Sequence, residues 1–344
     1  MVYTVTSSEK LRRPAADAET KAMLHLMSFH KNSSDVYYFV VDFFNDVTGM
    51  DRMSNKLWDI QSKGGSKSSP KAIGMELVTL FKNYISDFSF DDYILFLGGV
   101  TNTLRKDISK NTFKIDNIKE ESLILVKNGL KEECNNKTYI DDDKVTDDKI
   151  NDFLEKVNFV INDKSPCEYI KAIVKLNPSV LPCENTLIGI FNEIRNEQSI
   201  KKNINCIENV VLQTPGDAIS YGRHLTSDEI KLLILNRILN RNPHDKNIPP
   251  SFIPIYTQLP PEKQKYSVED AQISLSHALF DKNNKDSFWL LFESIYCSII
   301  KNPNGSIDSI FSMLDNKIKS NCHHFNVLSL KYFIAIIKDG INAC

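Results

Sequence analysis

Lys56-Leu57-Trp58-Asp59-Ile60-Gln61-Ser62-Lys63 alternates polar and apolar residues, the pattern of a strand with one face turned to a core. Successive side chains of a strand point to opposite faces, so Asp59, Gln61 and Lys63 share one and Trp58 and Ile60 share the other. Upstream, Val36-Tyr37-Tyr38-Phe39-Val40-Val41-Asp42-Phe43-Phe44 is rich in β-branched and aromatic residues and reads as a second strand. A hairpin of the two is expected. It puts Asp42, Phe44 and Asp46 on one face and brings Asp46 beside Gln61.

Working outward, Ala15 to about His30 carries Ala, Met and Leu at helical spacing behind Pro14, with Asp17 and Glu19 read in the first turn. Ser69-Pro70-Lys71 opens a second helix running to Phe88, with a serine N-cap and a proline at the first helical position. Tyr93-Ile94-Leu95-Phe96-Leu97-Gly98-Gly99 is a continuous apolar run ending in turn residues, as in a strand buried on both faces. Helix, hairpin, helix and buried strand in that order predict an α/β fold, a mixed sheet flanked by helices.

Asp116 to Asp163 is markedly acidic and reads as loops and a solvated helix surface. Beyond Pro166 the helical period dominates, over Cys167–Leu176, Glu184–Arg195, Ser227–Arg241, Val268–Phe280, Asp286–Ile300 and Phe325–Ile337. Pro243, Pro249, Pro250, Pro254, Pro260 and Pro261 make a stiff connection among these helices. Two domains are expected, 1–225 and a helical 226–344, with no internal repeat.

The chain has 344 residues, of which 42% are hydrophobic, enough for a sizeable core. With 42 Lys and Arg against 44 Asp and Glu, the formal charge of −2 argues against coating nucleic acid or membrane through bulk charge. Any anion site must be local. The N-terminus lacks a basic flank leading into an apolar run, and no stretch is long and apolar enough for a membrane helix. Seven scattered cysteines without a CxxC pair fit a reducing cytoplasm.

Phosphodiester hydrolysis needs oxygen ligands for a hard cation and a group that delivers water. Asp46 is the principal candidate carboxylate, and Asp51, across the Val47-Thr48-Gly49-Met50 step, competes with it. Gln61 offers a neutral carbonyl oxygen and Ser62 its backbone carbonyl. Lys63 is placed to position the attacking water and stabilise charge on the phosphate.

Glu19 on the first helix, Asp46 within Asn45-Asp46-Val47, and Gln61-Ser62-Lys63 together resemble the Q-x-K variant of the PD-(D/E)xK nuclease superfamily. More narrowly, the pattern is similar to the double-stranded DNA endonuclease effector of bacterial anti-phage systems, of the cyclic-oligonucleotide signalling and Lamassu-type SMC kinds. The resemblance covers Pro14 to Gly99 and extends weakly to about residue 225. It implies a restriction-endonuclease-like fold and DNA cleavage with Mg²⁺ (or Mn²⁺) when a sensor is triggered. It also implies Glu19, Asp46, Gln61 and Lys63 as catalytic residues, SMC-like partner subunits, and an oligomer offering two sites for two strands. The helical remainder would serve assembly. An acidic residue near a helix start is also favoured by the dipole alone, which leaves a bland reading open for Glu19.

Lys67, Lys71 and Arg52 lie close to the motif and are candidates for contacts to the DNA backbone, whereas Lys82 reads as an ordinary solvated helix lysine. A catalytically silent nucleic-acid-binding or scaffold subunit and an RNA-cleaving relative are the competing functions. Cys322-His323-His324 lacks a partner pair at zinc-finger spacing and reads as structural. Gly98-Gly99 lacks the Walker lysine-serine pair, and Phe288–Tyr296 reads as core.

Overall fold

The computed structural model describes residues 3–5, 13–178, 180–245 and 247–342, which fall into two compact units. Unit 1 comprises 1–169 and 192–227, and unit 2 comprises 170–191 and 228–344. The division after Ser227 lies close to the expected 225/226 boundary. The excursion 170–191 belongs with the helical unit, although it precedes that boundary in sequence.

Along unit 1 the strands are β1 (Tyr3–Thr4), β2 (Tyr38–Val41), β3 (Val47–Met50), β4 (Leu57–Lys63), β5 (Asp92–Leu97), β6 (Thr112–Phe113), β7 (Val157–Ile161), β8 (Val211–Leu212) and β9 (His224–Thr226). Its helices are α1 (Arg13–Ser28), α2 (Pro70–Glu76), α3 (Val78–Tyr84), α4 (Glu120–Asn135) and α5 (Asp147–Lys156). Next come α6 (Pro166–Val174) and α7 (Glu184–Lys202), each passing from one unit to the other along its length. Seven strands form one mixed sheet in the order β6-β7-β5-β4-β3-β2-β9, and β1 pairs separately with β8. The mixed α/β architecture is the one the sequence predicts.

The expected hairpin is instead a meander. The first strand stops at Val41, the short β3 follows, and β3 pairs antiparallel with both β2 and β4. On its other side β4 runs parallel to β5, and β5 parallel to β7. The catalytic strand expected from the sequence is therefore the central one of seven, with β5 buried throughout as its apolar run requires. β7 lies inside the acidic segment read as loops and helix surface. Its Val157-Asn158-Phe159-Val160-Ile161 is short enough to be masked by charges that cap and solvate α4 and α5.

Helix α1 packs on the Trp58 and Ile60 face. A Cβ at Gly49, which pairs with Trp58, would run into the Leu26 side chain and crowd Val36, so any larger residue there requires Leu26 of α1 to shift. Helices α2 and α3 cover the opposite face. Ser69 caps α2 by accepting from Ala72 N at 3.3 Å, with Pro70 at the helix start. The single helix expected to Phe88 divides at Leu77, whose N–H bonds Gly74 O in a tighter turn.

Unit 2 continues with α8 (Ser227–Leu239, its first residue in unit 1), α9 (Ile253–Tyr256), α10 (Pro261–Phe280), α11 (Lys285–Lys301), α12 (Ile307–Met313), α13 (Asn316–Asn321) and α14 (Val327–Asn342). Phe288, Leu291, Phe292 and Ile295 of α11 are buried, with the Phe288 and Phe292 rings tilted against Phe333 of α14, so the aromatic run is core. Among the described residues no helix is long and apolar enough to cross a membrane.

Candidate active site

Strand spacing and helix spacing mesh over the polar face of β4. Asp59, Gln61 and Lys63, two residues apart, meet Asn83, Thr79 and Glu76, which are four and three apart on α2 and α3. Asn83 Nδ2 donates to Asp59 at 2.6 Å, Thr79 Oγ1 donates to Gln61 Oε1 at 2.8 Å, and Lys63 pairs with Glu76 at 2.9 Å. The ladder runs from a dry end at Asp59 to a half-exposed end at Lys63.

Asp59 also accepts from Asn45 Nδ2 at 3.2 Å and Thr48 Oγ1 at 3.0 Å. Burial pushes its pKa up to about 6, against the pull of those three donors. Farther along the same face, Gln61 and Lys63 line a cavity of about 360 Å³, and Asp59 lies outside that lining.

Asp46 stands at the cavity wall. The Val47–Ile60 pairing places it opposite Gln61. Its Oδ2 accepts from Gln61 Nε2 at 3.1 Å, Ser62 N at 2.7 Å and Ser62 Oγ at 2.9 Å. All three bonds go to one oxygen. A strand residue points its N–H and C=O to the same side, so the Ser62 carbonyl also faces the Asp46 side, past the last β3–β4 pair. Burial raises the Asp46 pKa while Ser62 and the nearby lysines oppose it.

Two further carboxylates enter from either side. Asp42 follows β2 with φ 56°, a left-handed backbone that turns the chain out of the strand, and its N–H bonds Asp46 O at 3.2 Å. A turn, and not a shared strand face, therefore sets Asp42 and Asp46 side by side. Asp42 is held by Lys202 at 3.5 Å and Arg223 at 3.4 Å, and burial lifts its pKa to about 6. Glu19 projects from α1, in its second turn because the helix begins at Arg13, so the helix dipole does not account for it. Glu19 Oε1 lies 3.4 Å from Lys202 Nζ, while Oε2 is buried without a hydrogen-bond partner. Burial first, then the charges of Asp46 and Asp42, raise the Glu19 pKa to about 8 despite Lys202.

Glu19, Asp46, Gln61 and Lys63 thus come together, with Ser62 behind them. Asp51 does not join. Its Oδ1 accepts from Asn55 N at 2.7 Å and Lys56 N at 3.0 Å, capping the β3–β4 turn at the far end of β3. Five residues of extended chain set it roughly 16 Å from Asp46. Arg52 lies in the same turn, stacked 3.8 Å over Tyr37, and Lys71 pairs with Glu132 at 2.7 Å on α4. Lys67 is exposed in the β4–α2 loop, and none of these three basic residues lines the cavity. Gln61, expected to aim its carbonyl at a metal, points its amide nitrogen at Asp46 and its carbonyl at Thr79. It orients Asp46.

Several lining residues carried no sequence signal. Lys202 is 183 positions from Glu19 and lies beyond the helix expected to end at Arg195, yet it falls in the last turn of α7 and is 4% exposed. Lys82, read as a solvated lysine, lines the cavity with Nζ 4.7 Å over Tyr3, and burial lowers its pKa to about 8. Thr79 and Asn83 are visible only once the register is known, whereas the sequence already sets Asp42 beside Asp46, on a strand face where the structure has a turn.

No protein-family model, curated protein or solved structure matches this chain.

Proposed function

We propose that unit 1 is a metal-dependent endonuclease of the PD-(D/E)xK type, in its Q-x-K variant, that hydrolyses phosphodiester bonds of duplex DNA with Mg²⁺ or Mn²⁺. The observation that carries this reading is Glu19 Oε2, a buried carboxylate oxygen without a partner in the same cavity as Asp46. Leaving such an oxygen unpaired costs about 1–3 kcal/mol or more. A cation between Glu19 and Asp46 removes that cost, and an all-oxygen donor set of two carboxylates and the Ser62 carbonyl suits a hard ion. When bound, that ion supplies Lewis-acid polarisation of the phosphate and acidification of a water.

Each residue has a definite task in this reading. Glu19 and Asp46 hold the ion, and Gln61 with Ser62 fixes the Asp46 carboxylate so that its Oδ2 cannot rotate away. Gln61 is in turn locked by Thr79. Lys202 and Arg223 neutralise Asp42 and keep the buried cluster from overcharging. Lys63, half-exposed at the mouth, exchanges Glu76 for a phosphate oxygen and stabilises the charge that grows there. Lys82 and Lys137 on the cavity wall add positive charge where a DNA backbone would lie.

The effector role in an anti-phage complex, SMC-like partner subunits and a two-site oligomer are further parts of the proposal. They rest on the sequence resemblance, with the helical unit 2 as the part assigned to assembly. The test is cleavage of linear and circular duplex DNA with Mg²⁺ or EDTA, comparing wild type with Lys63→Ala and Asp46→Ala at high protein concentration. Loss of activity by about 100-fold or more in EDTA and in both variants is the expected result. Salt-sensitive binding without cleavage, indifferent to Lys63→Ala, would identify a silent scaffold instead, and preferential cleavage of RNA would identify the RNA-directed relative.

A further inference from the structure

Unit 2 carries a second cluster, independent of the nuclease reading. Asp281 is the residue at which α10 ends, and His323 and His324 follow α13. One ligand atom from each of the three lies within 4.8 Å of the others. His324 Nε2 is 3.0 Å from Asp281 Oδ2, and the His323 and His324 rings sit 4.1 Å apart, centroid to centroid. Asp281 Oδ1 accepts from Asn283 N at 2.8 Å, which fixes the carboxylate with Oδ2 toward the imidazoles. Asn284 Nδ2 donates to Asn321 O at 2.9 Å, tying the loop after α10 to the end of α13. The carboxylate is therefore oriented by a bond from outside the cluster, as metal ligands usually are, and the chain leading to the histidine pair is tied to the loop after α10.

From this geometry we infer that Asp281, His323 and His324 form a site for one transition-metal ion of the Zn²⁺ class, with its fourth position open to water. Ligands about 2.0–2.1 Å from a tetrahedral ion stand roughly 3.3 Å apart. The Asp281–His324 separation of 3.0 Å is already close to that edge, so the ion takes the place of the proton the pair now shares. His323, which is exposed, needs only a side-chain rotation to close the triangle. Two imidazoles and one carboxylate favour Zn²⁺, Cu²⁺ or Ni²⁺ and disfavour Mg²⁺, the opposite preference to the all-oxygen cavity of unit 1. The adjacent Cys322 is buried and is not one of the three residues whose ligand atoms cluster. His277, one helical turn before Asp281, has its ring centroid 5.9 Å from that of His324 and flanks the site. The bound ion would clip the end of α10 to the chain after α13.

The experiment titrates Zn²⁺ alone into the full chain by competition with a chromogenic chelator. It is carried out in an Asp46→Ala background so that the carboxylate cavity does not contribute. His323→Ala is the diagnostic variant, because it removes an exposed ligand and leaves the Asp281–His324 pair intact. One Zn²⁺ per chain is expected, with affinity at least about ten-fold weaker in His323→Ala. Co²⁺ should give visible absorption of a four-coordinate site that the variant abolishes. Failure of the Asp46→Ala chain to bind Zn²⁺, or binding of equal strength in His323→Ala, would overturn the inference.

Discussion

Two buried carboxylates of unit 1, Asp59 on β4 and Glu19 on α1, have opposite surroundings. Asp59, with no exposed surface, is closed in by Asn83, Asn45 and Thr48. Glu19, 5% exposed, has one lysine at 3.4 Å and an oxygen with no partner. Both pKa values are raised by burial, to about 6 and about 8. The difference lies in satisfaction: the donors around Asp59 make it part of the fold, whereas the gap at Glu19 leaves room for a ligand. Burial of a charge alone would have pointed to both residues equally.

Asp59→Ala should have the largest effect. Removing the acceptor strands donors from Asn83, Asn45 and Thr48 in a dry layer, so a loss of roughly 3–5 kcal/mol is expected. Urea denaturation measures it. A loss below about 1 kcal/mol would mean that the Asp59 network is not holding β4 to α3, and the contrast with Glu19 would collapse.

Glu19→Gln should do the reverse. The folded Glu19 pKa of about 8 exceeds its ordinary 4.5, so the native state binds the extra proton between those values. Its contribution to stability is complete below about pH 4.5 and is lost as the pH rises through 8. Replacement by the neutral amide removes this loss, so the variant should match wild type near pH 5 and exceed it near pH 8 by on the order of 1–3 kcal/mol. Saturating Mg²⁺ should stabilise wild type more at pH 8 than at pH 6, and the variant little at either. Parallel pH curves for the two proteins would show that Glu19 is not the strained carboxylate.

How much of this could be read from the sequence follows from how local each signal is. Strand β4 announces itself by alternation, β5 by an unbroken apolar run, and α2 by its serine and proline, because each pattern sits within its own element. Strand β3 has four residues and β9 three, and β9 exists only because Phe39 pairs with Leu225 across the chain. Asp46 and Asp51 flank β3 almost symmetrically in sequence, and only the Val47–Ile60 register distinguishes the one beside Gln61 from the one capping a turn. Lys202 and Arg223 reach Asp42 from distant segments that no local periodicity links to it. The motif residues were legible, and the residues that balance their charge were not.

The finest distinction concerns Gln61. If it were a metal ligand, its carbonyl would need to face the cavity, yet Thr79 Oγ1 donates to that carbonyl at 2.8 Å and the amide nitrogen goes to Asp46. Thr79→Val keeps the shape of the side chain and removes only the donor. A stability change of about 1 kcal/mol or less is expected, since the carbonyl stays near the cavity and water can replace the hydroxyl. If Gln61 works by orienting Asp46, unlocking it loosens the carboxylate and lowers Mg²⁺-dependent cleavage with the KM for DNA unchanged. If Gln61 is itself a ligand, the freed carbonyl turns toward the ion and cleavage rises at limiting Mg²⁺. The sign of that small effect separates the two roles, because the same lost hydroxyl works against the site in one case and for it in the other.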